Sequence, residues 1–232
     1  MRKINDPDAL KRYMDAHRLS GLFDRKTERA MELFSFDRGE IICSSGDQLM
    51  HLFLLVEGRI KVYKVLPNGK SILIRFYNPL STIGDLEMLS DIPARSTVES
   101  VNETCFIGIS RQAMADTANE DPAFLRFIVK QLANKLDTFS NASSLNLLYP
   151  VETRFASYLV SITSDENGRE QIEELKTSKL TEIAELLGTS YRHLNRVITQ
   201  FARDGLVERK RGALFIKDLD RLRALSNGNL YS

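Results

Sequence analysis

Residues 180–201 read LTEIAELLGTSYRHLNRVITQF, and this stretch decides the architecture of the C-terminal part of the chain. Ile183, Ala184 and Leu187 share one face of a first helix. Gly188 follows, where a tight turn between helices calls for a left-handed backbone. Thr189 or Ser190 then caps a second helix through its hydroxyl, and that helix buries Leu194, Val197 and Ile198. A residue as small as Ala184 lets the two helices cross closely. The pattern predicts a helix-turn-helix whose second helix is a recognition helix.

The face left open on that second helix carries Tyr191, Arg192, His193, Asn195 and Arg196. Arginine can bond guanine O6 and N7 together, and asparagine can do the same for adenine. Thr189 and Ser190 precede them at the end nearest the base edges. Downstream, DGLVERKRGALFIKD turns at Asp204 and Gly205 and forms a hairpin from residues 206–208 and 213–216. Its tip is read as Arg209, Lys210, Arg211 and Gly212, a wing suited to phosphates. Between residues 191 and 217, seven cations face only Asp204 and Glu208, a local charge of +5. Between residues 164 and 187, seven anions outweigh three cations, a local charge of −4. The whole chain has 32 Lys and Arg against 31 Asp and Glu, so its formal charge of +1 hides a basic face beside an acidic one.

Working outward, residues 152–162 read as a helix opened by Pro150, and residues 164–174, SDENGREQIEE, as a polar loop or edge. Residues 121–149 read as one long helix without glycine. Leu125, Ile128, Leu132, Phe139 and Ala142 make a heptad-like stripe, interrupted by Lys135 with Leu136 just beside it, and the seam residues expected are Leu125, Ile128, Leu132, Leu136 and Phe139. The stripe predicts the seam of a homodimer; the competing reading is a helix packed on its own domain. From residue 36 to 109 the period shortens. IIC, HLFLLV, IKVYKV, ILIRFY and CFIGI are short strands separated by glycine-bearing turns, and Pro67, Asn68, Gly69 and Lys70 form a hairpin signal. This predicts an all-β roll of jelly-roll type, a double-stranded β-helix. Residues 1–35 read as helical, starting at Asp6 and Pro7, with Leu10, Met14 and Ala16 as a buried stripe.

The chain has 232 residues, 43% hydrophobic and 27% charged, enough to bury a core unaided. No apolar run approaches the roughly 20 residues of a membrane helix, and the charged start MRKINDPDAL lacks a signal peptide's apolar core, so the expectation is a cytoplasmic protein with no membrane partner. Cys43 and Cys105 cannot supply the ligands of a four-cysteine cluster. They are either buried strand residues or a pair that a roll brings close enough for redox exchange.

A β-roll, a long helix and a winged helix-turn-helix in that order resemble the Crp/Fnr superfamily of bacterial transcription regulators. Gly188, Thr189, Ser190, Tyr191, Arg192, His193 and Leu194 resemble its YeiL-type branch. The fold class expected is α+β, with an effector domain over 1–120, a dimerisation helix over 121–149 and a DNA-binding domain over 150–232. The resemblance implies double-stranded operator DNA and RNA polymerase as partners, a homodimer, and a small-molecule effector in the roll.

Ile83, Gly84, Asp85 and Leu86, with Pro93, Ala94, Arg95, Ser96, Thr97 and Val98, resemble the phosphate-binding cassette of cyclic-nucleotide domains. In such a cassette glycine lets backbone approach the ligand, an acid accepts the ribose hydroxyl, and an arginine with backbone amides holds the phosphate. The effector-site residues implied are Gly84, Asp85, Leu86, Arg95, Ser96 and, on the long helix, Phe139. Three departures argue against a cyclic nucleotide as cofactor. Asp85 replaces the usual glutamate. Arg95 stands three rather than four residues before the valine. Phe139 and Ser140 stand where cyclic-AMP receptors place small hydroxyl residues. In the recognition helix, Tyr191 and Arg192 replace the family's common arginine–glutamate pair, so the target sequence does not carry over. Neither an iron–sulfur cluster nor haem is expected.

Two other function classes compete with a transcription regulator. A cupin-like enzyme needs clustered metal ligands, but His17, His51 and His193 are scattered and no Gly-x-Ser-x-Gly or phosphate loop occurs, so no enzyme is expected. A cyclic-nucleotide-binding regulatory subunit acting on a protein partner has no use for the helix-turn-helix and basic wing.

Overall fold

In a computed structural model, residues 1–69, 71–163, 174–176 and 180–226 are described, apart from the side chains at 117–120, 137–148, 174 and 176. Two compact units divide the chain, residues 1–62 with 77–138 and residues 63–76 with 139–232. The architecture is mixed α and β, with strands concentrated toward the N-terminus and the two helices read from residues 180–201 toward the C-terminus.

The first unit is built on a five-stranded antiparallel sheet in the order β1 (Arg2–Ile4), β2 (Met31–Phe36), β9 (Thr104–Ser110), β4 (His51–Glu57) and β7 (Thr82–Ile83). Side chains alternate along each strand, and both faces of this sheet are buried. One face carries Phe34, Phe36, Phe53 and Phe106, whose rings meet edge-on with centroids 5.4–6.1 Å apart. Each such pair adds about 0.5–1.5 kcal/mol to its area burial. Leu33, Leu52, Leu54, Val56, Ile107 and Ile109 point to the other face. They pack with Ala9 and Met14 of α1 (Pro7–Ala16), Met114 of α4 (Arg111–Glu120), and Phe124 and Ile128 of α5 (Pro122–Leu148). A second sheet runs β3 (Ile41–Cys43), β8 (Thr97–Ser100), β5 (Ile60–Val65) and β6 (Ser71–Tyr77).

The N-terminal reading needs correcting. Residues 1–35 are not all helical: β1 and β2 pair there, and α1 and the short α2 (Arg25–Arg29) lie between them. Asp6 does cap α1, accepting from Ala9 N at 2.9 Å. The core-facing stripe of α1 passes through Ala9, Leu10, Tyr13 and Met14, which leaves Ala16 exposed. The hairpin signal at residues 67–70 does join neighbouring strands, β5 and β6. Among the described residues of that turn Gly69 takes a positive φ, +78°, and its N–H bonds back to Leu66 O at 2.9 Å. The long helix begins where expected, with Asp121 capping it through Ala123 N at 2.8 Å.

The second unit contains α6 (Val151–Thr163), α7 (Leu180–Leu186), α8 (Tyr191–Arg203) and α9 (Leu219–Leu225). Phe155 of α6 stacks on Phe201 of α8 at 5.8 Å. Leu180, Ile183, Ala184, Leu187, Leu194, Val197 and Ile198 are buried between the helices, as their spacing predicts. A three-stranded antiparallel sheet, β10 (Glu174–Lys176), β12 (Ala213–Ile216) and β11 (Val207–Lys210), completes the unit. The sequence reading missed β10. Its three residues sit beside an acidic segment, and residues 164–173 of that segment lie outside the described residues.

Candidate nucleic-acid interface

Helix α7 ends in a Schellman motif. Gly188, at φ +61°, sends its N–H to Glu185 O at 2.9 Å, and Thr189 N reaches Ala184 O at 2.9 Å. Arg154 of α6 donates from Nη1 to the carbonyl of Leu187, so the turn is held from behind. Ser190 caps α8, its Oγ accepting from His193 N at 3.1 Å. Thr189 is half-buried. Ser190 is exposed, but its side-chain acceptor role is taken by the cap.

Tyr191, Arg192 and Arg196 are exposed on α8, and His193 and Asn195 are half-buried. At helical spacing Arg192, Arg196, Thr199 and Arg203 form one exposed row. The sequence reading stopped at Arg196. Counting seven residues on from Arg192 and from Arg196 finds Thr199 and Arg203. The far end of α8 repeats the Schellman arrangement at Gly205, with Leu206 N on Phe201 O at 2.9 Å.

The wing is shorter at its tip than the sequence implied. Arg209 and Lys210 belong to β11, paired with Leu214 and Ala213, and only Arg211 (φ +51°) and Gly212 (φ +79°) make the turn. Two positive φ values in a two-residue loop are the hairpin geometry that matches strand twist. Arg209, Lys210 and Arg211 are all exposed. Arg209 Nη1 donates to Asn195 Oδ1 at 3.0 Å, joining wing to recognition helix. Lys217 and Glu208 lie 3.8 Å apart at the surface, where the pair contributes little.

In the first unit, Gly84 turns from β7 into α3 (Asp85–Leu89) at φ +93°. A Cβ there would lie 3.0 Å from His51 O, so the turn packs closely on β4 of its own unit. Asp85 is 1% exposed. Its Oδ1 accepts from Leu86 N at 2.9 Å and Lys135 Nζ at 2.7 Å, and its Oδ2 from Thr82 Oγ1 at 2.6 Å and Lys135 Nζ at 2.8 Å. Arg95 is exposed, Ser96 half-buried and Leu86 exposed. The Phe139 side chain lies outside the described residues. Thus Gly84, Asp85 and Leu86 come together at one turn, while Asp85 is engaged by a lysine that the sequence reading treated as an interruption.

On α5, Ile128 needs correction as a seam residue. It is 2% exposed and packs in the core of its own unit. Leu132 is partly buried against that core. The open row is Leu125, Val129 and Leu136, exposed by 39%, 63% and 70%. Both cysteines are buried and free, Cys43 on β3 and Cys105 on β9. Burial pushes their thiols up to about 12 and about 11. No group of His, Cys, Asp and Glu that could hold a metal occurs among the described residues, and none of their helices is long and apolar enough to cross a membrane.

With this geometry in place, comparison with known proteins is informative. The family described as Cyclic nucleotide-binding domain matches residues 33–121, and the one described as Crp-like helix-turn-helix domain matches residues 153–225. Regulatory protein YeiL of Escherichia coli O157:H7 is 31% identical over 196 residues, spanning 84% of this chain and 85% of the relative. The CRP-like cAMP-activated global transcriptional regulator of Mycobacterium tuberculosis is 23% identical over 196 residues, spanning 84% of this chain and 88% of the relative. Among solved structures, TTHB099, a transcriptional regulator of the CRP family from Thermus thermophilus, superimposes with a TM-score of 0.67 at 23% identity. That match covers 85% of this chain and 98% of the other.

Proposed function

The chain belongs to the Crp/Fnr family of transcription regulators, and from that premise we propose that it acts as a homodimer on a two-part operator in the bacterial cytoplasm. It is a DNA-binding regulator of transcription. The observation that carries the proposal is the exposed row Arg192, Arg196, Thr199 and Arg203, flanked by Arg209, Lys210 and Arg211. In this reading Tyr191, Arg192, His193 and Asn195 read base edges from the first turns of α8, with Arg196 just beyond. Thr189, Ser190, Arg203 and the wing hold phosphates. The open apolar row of α5 pairs two subunits, and the two recognition helices enter major grooves about 34 Å apart. RNA polymerase is the partner that converts occupancy into transcription. The roll is the part available to modulate DNA binding, and the chain binds rather than catalyses.

The experiment is enrichment of bound sites from random duplex DNA, followed by binding at several salt concentrations. The reading expects a two-part site and an affinity that falls steeply with salt. Arg192→Ala should then lose about 1–3 kcal/mol on the enriched site and far less on random DNA. Enrichment of no sequence would overturn sequence-specific binding, and a one-part site would overturn the dimer.

A further inference from the structure

An ionised carboxylate offers about four acceptor positions, two on each oxygen. Every one of those on Asp85 is used within the chain. Lys135 Nζ takes one on each oxygen, at 2.7 and 2.8 Å, and the hydroxyl of Thr82 and the amide of Leu86 take the other two. The carboxylate is buried, whereas the Lys135 side chain keeps 22% of its exposure. Lys135 also stands 5.7 Å from the ring centroid of Tyr77, over its face, a second favourable contact for the ammonium. Buried charges persist where they are paired and fully hydrogen-bonded, and this pair meets that condition without help from any other molecule.

The same geometry bears on what the first unit can bind. Asp85 is the acid that a cyclic-nucleotide cassette needs for its ribose hydroxyls. A hydroxyl arriving here finds no open acceptor, and making room means breaking a buried ion pair, which leaves a charge unpaired. Arg95, on the phosphate side of such a cassette, is exposed; it is at Asp85 that the residues present do not fit a cyclic nucleotide.

We infer that Lys135 closes the cassette from inside: the Asp85–Lys135 pair holds α5 on the Gly84–Asp85 turn in the unliganded chain and excludes cyclic nucleotides from it. Lys135 is therefore the residue that sets this chain's ligand specificity, through the acid it occupies. The pair joins positions 50 residues apart, so it fixes the approach of the long helix to the roll as well.

Thermal unfolding of the full-length chain tests both halves. A ligand bound only by the folded state raises the unfolding midpoint, by several degrees when its concentration is far above its dissociation constant. Millimolar cyclic AMP or cyclic GMP is expected to leave the midpoint of the unaltered chain where it was. Asp85→Asn and Lys135→Met are each expected to lower the midpoint, and the double variant to lose clearly less than the two single losses together, the mark of a direct pair. A midpoint raised saturably by either nucleotide overturns the inference, as do single losses that simply add. The nucleotide arm uses the unaltered chain, so it decides even where a variant does not fold.

Discussion

Arg209 of the wing donates to Asn195 of the recognition helix at 3.0 Å. Sequence alone assigned these residues separate tasks, one a phosphate contact and the other a base reader. The structure makes one the support of the other. An amide oxygen held by a guanidinium keeps a second lone pair, and the amide NH2 keeps both donors. Asn195 can therefore still address a base edge, but in an orientation that Arg209 sets.

Arg209→Ala should then change which bases are preferred as well as how tightly DNA is bound. Lys210→Ala, removing a neighbouring cation without such a bond, should weaken binding to all sequences alike and reduce the salt slope by about 1. Site enrichment repeated with each variant separates the two. Unchanged preferences for Arg209→Ala would reduce it to a phosphate contact.

Gly188 offers a test of the turn itself. A Cβ added there meets only Arg154 Nη1, at 3.5 Å, which is ordinary contact. The cost of Gly188→Ala is therefore conformational, from a φ of +61°, and should be about 1–2 kcal/mol. Gly188→Asn, which tolerates this backbone better, should lose less. Denaturant unfolding reads both, and equal losses would point to a clash instead of strain.

The helix-turn-helix was legible because local chemistry dictates it: Ser190 caps, Gly188 turns, and Ile183, Leu194 and Val197 fall at helical spacing. The strands of the roll were legible wherever apolar runs lay between glycines. What escaped depends on tertiary partners. Residues 2–4, Arg-Lys-Ile, become a strand only because β2 lies alongside. Ile128 shares a heptad stripe with exposed neighbours, yet the core formed by α1, α4 and the sheet claims it. Lys135 looked like a flaw in an apolar stripe, and its partner Asp85 is 50 residues away, beyond any local periodicity.

That sorting of α5 gives opposite expectations for adjacent residues. Polar substitution of Leu125, Val129 and Leu136 together should leave a folded chain that light scattering reports as a monomer. Ile128→Ala should lower stability by about 2–5 kcal/mol, as buried aliphatic truncations do, while the variant still dimerises when folded. A dimer that survives the triple substitution would place the seam on another surface.

The two thiols predict how stability responds to alkali. Burial raises Cys43 from the ordinary 9.0 to about 12, with Glu87 and Asp47 adding to it, and burial raises Cys105 to about 11. Above pH 9.0 the unfolded chain releases these protons while the folded chain keeps them, so deprotonation favours unfolding. Their contribution is whole below pH 9.0 and is lost as pH rises through 11 and 12. Unfolding midpoints should fall across that window, and Cys43→Ala should flatten the fall. The same protonation keeps both thiols poor nucleophiles near neutrality, so iodoacetamide should label the native chain slowly and the denatured chain fast. Rapid native labelling at neutral pH would show that one of the thiols is ionised and reachable, contrary to its buried place on β3 or β9.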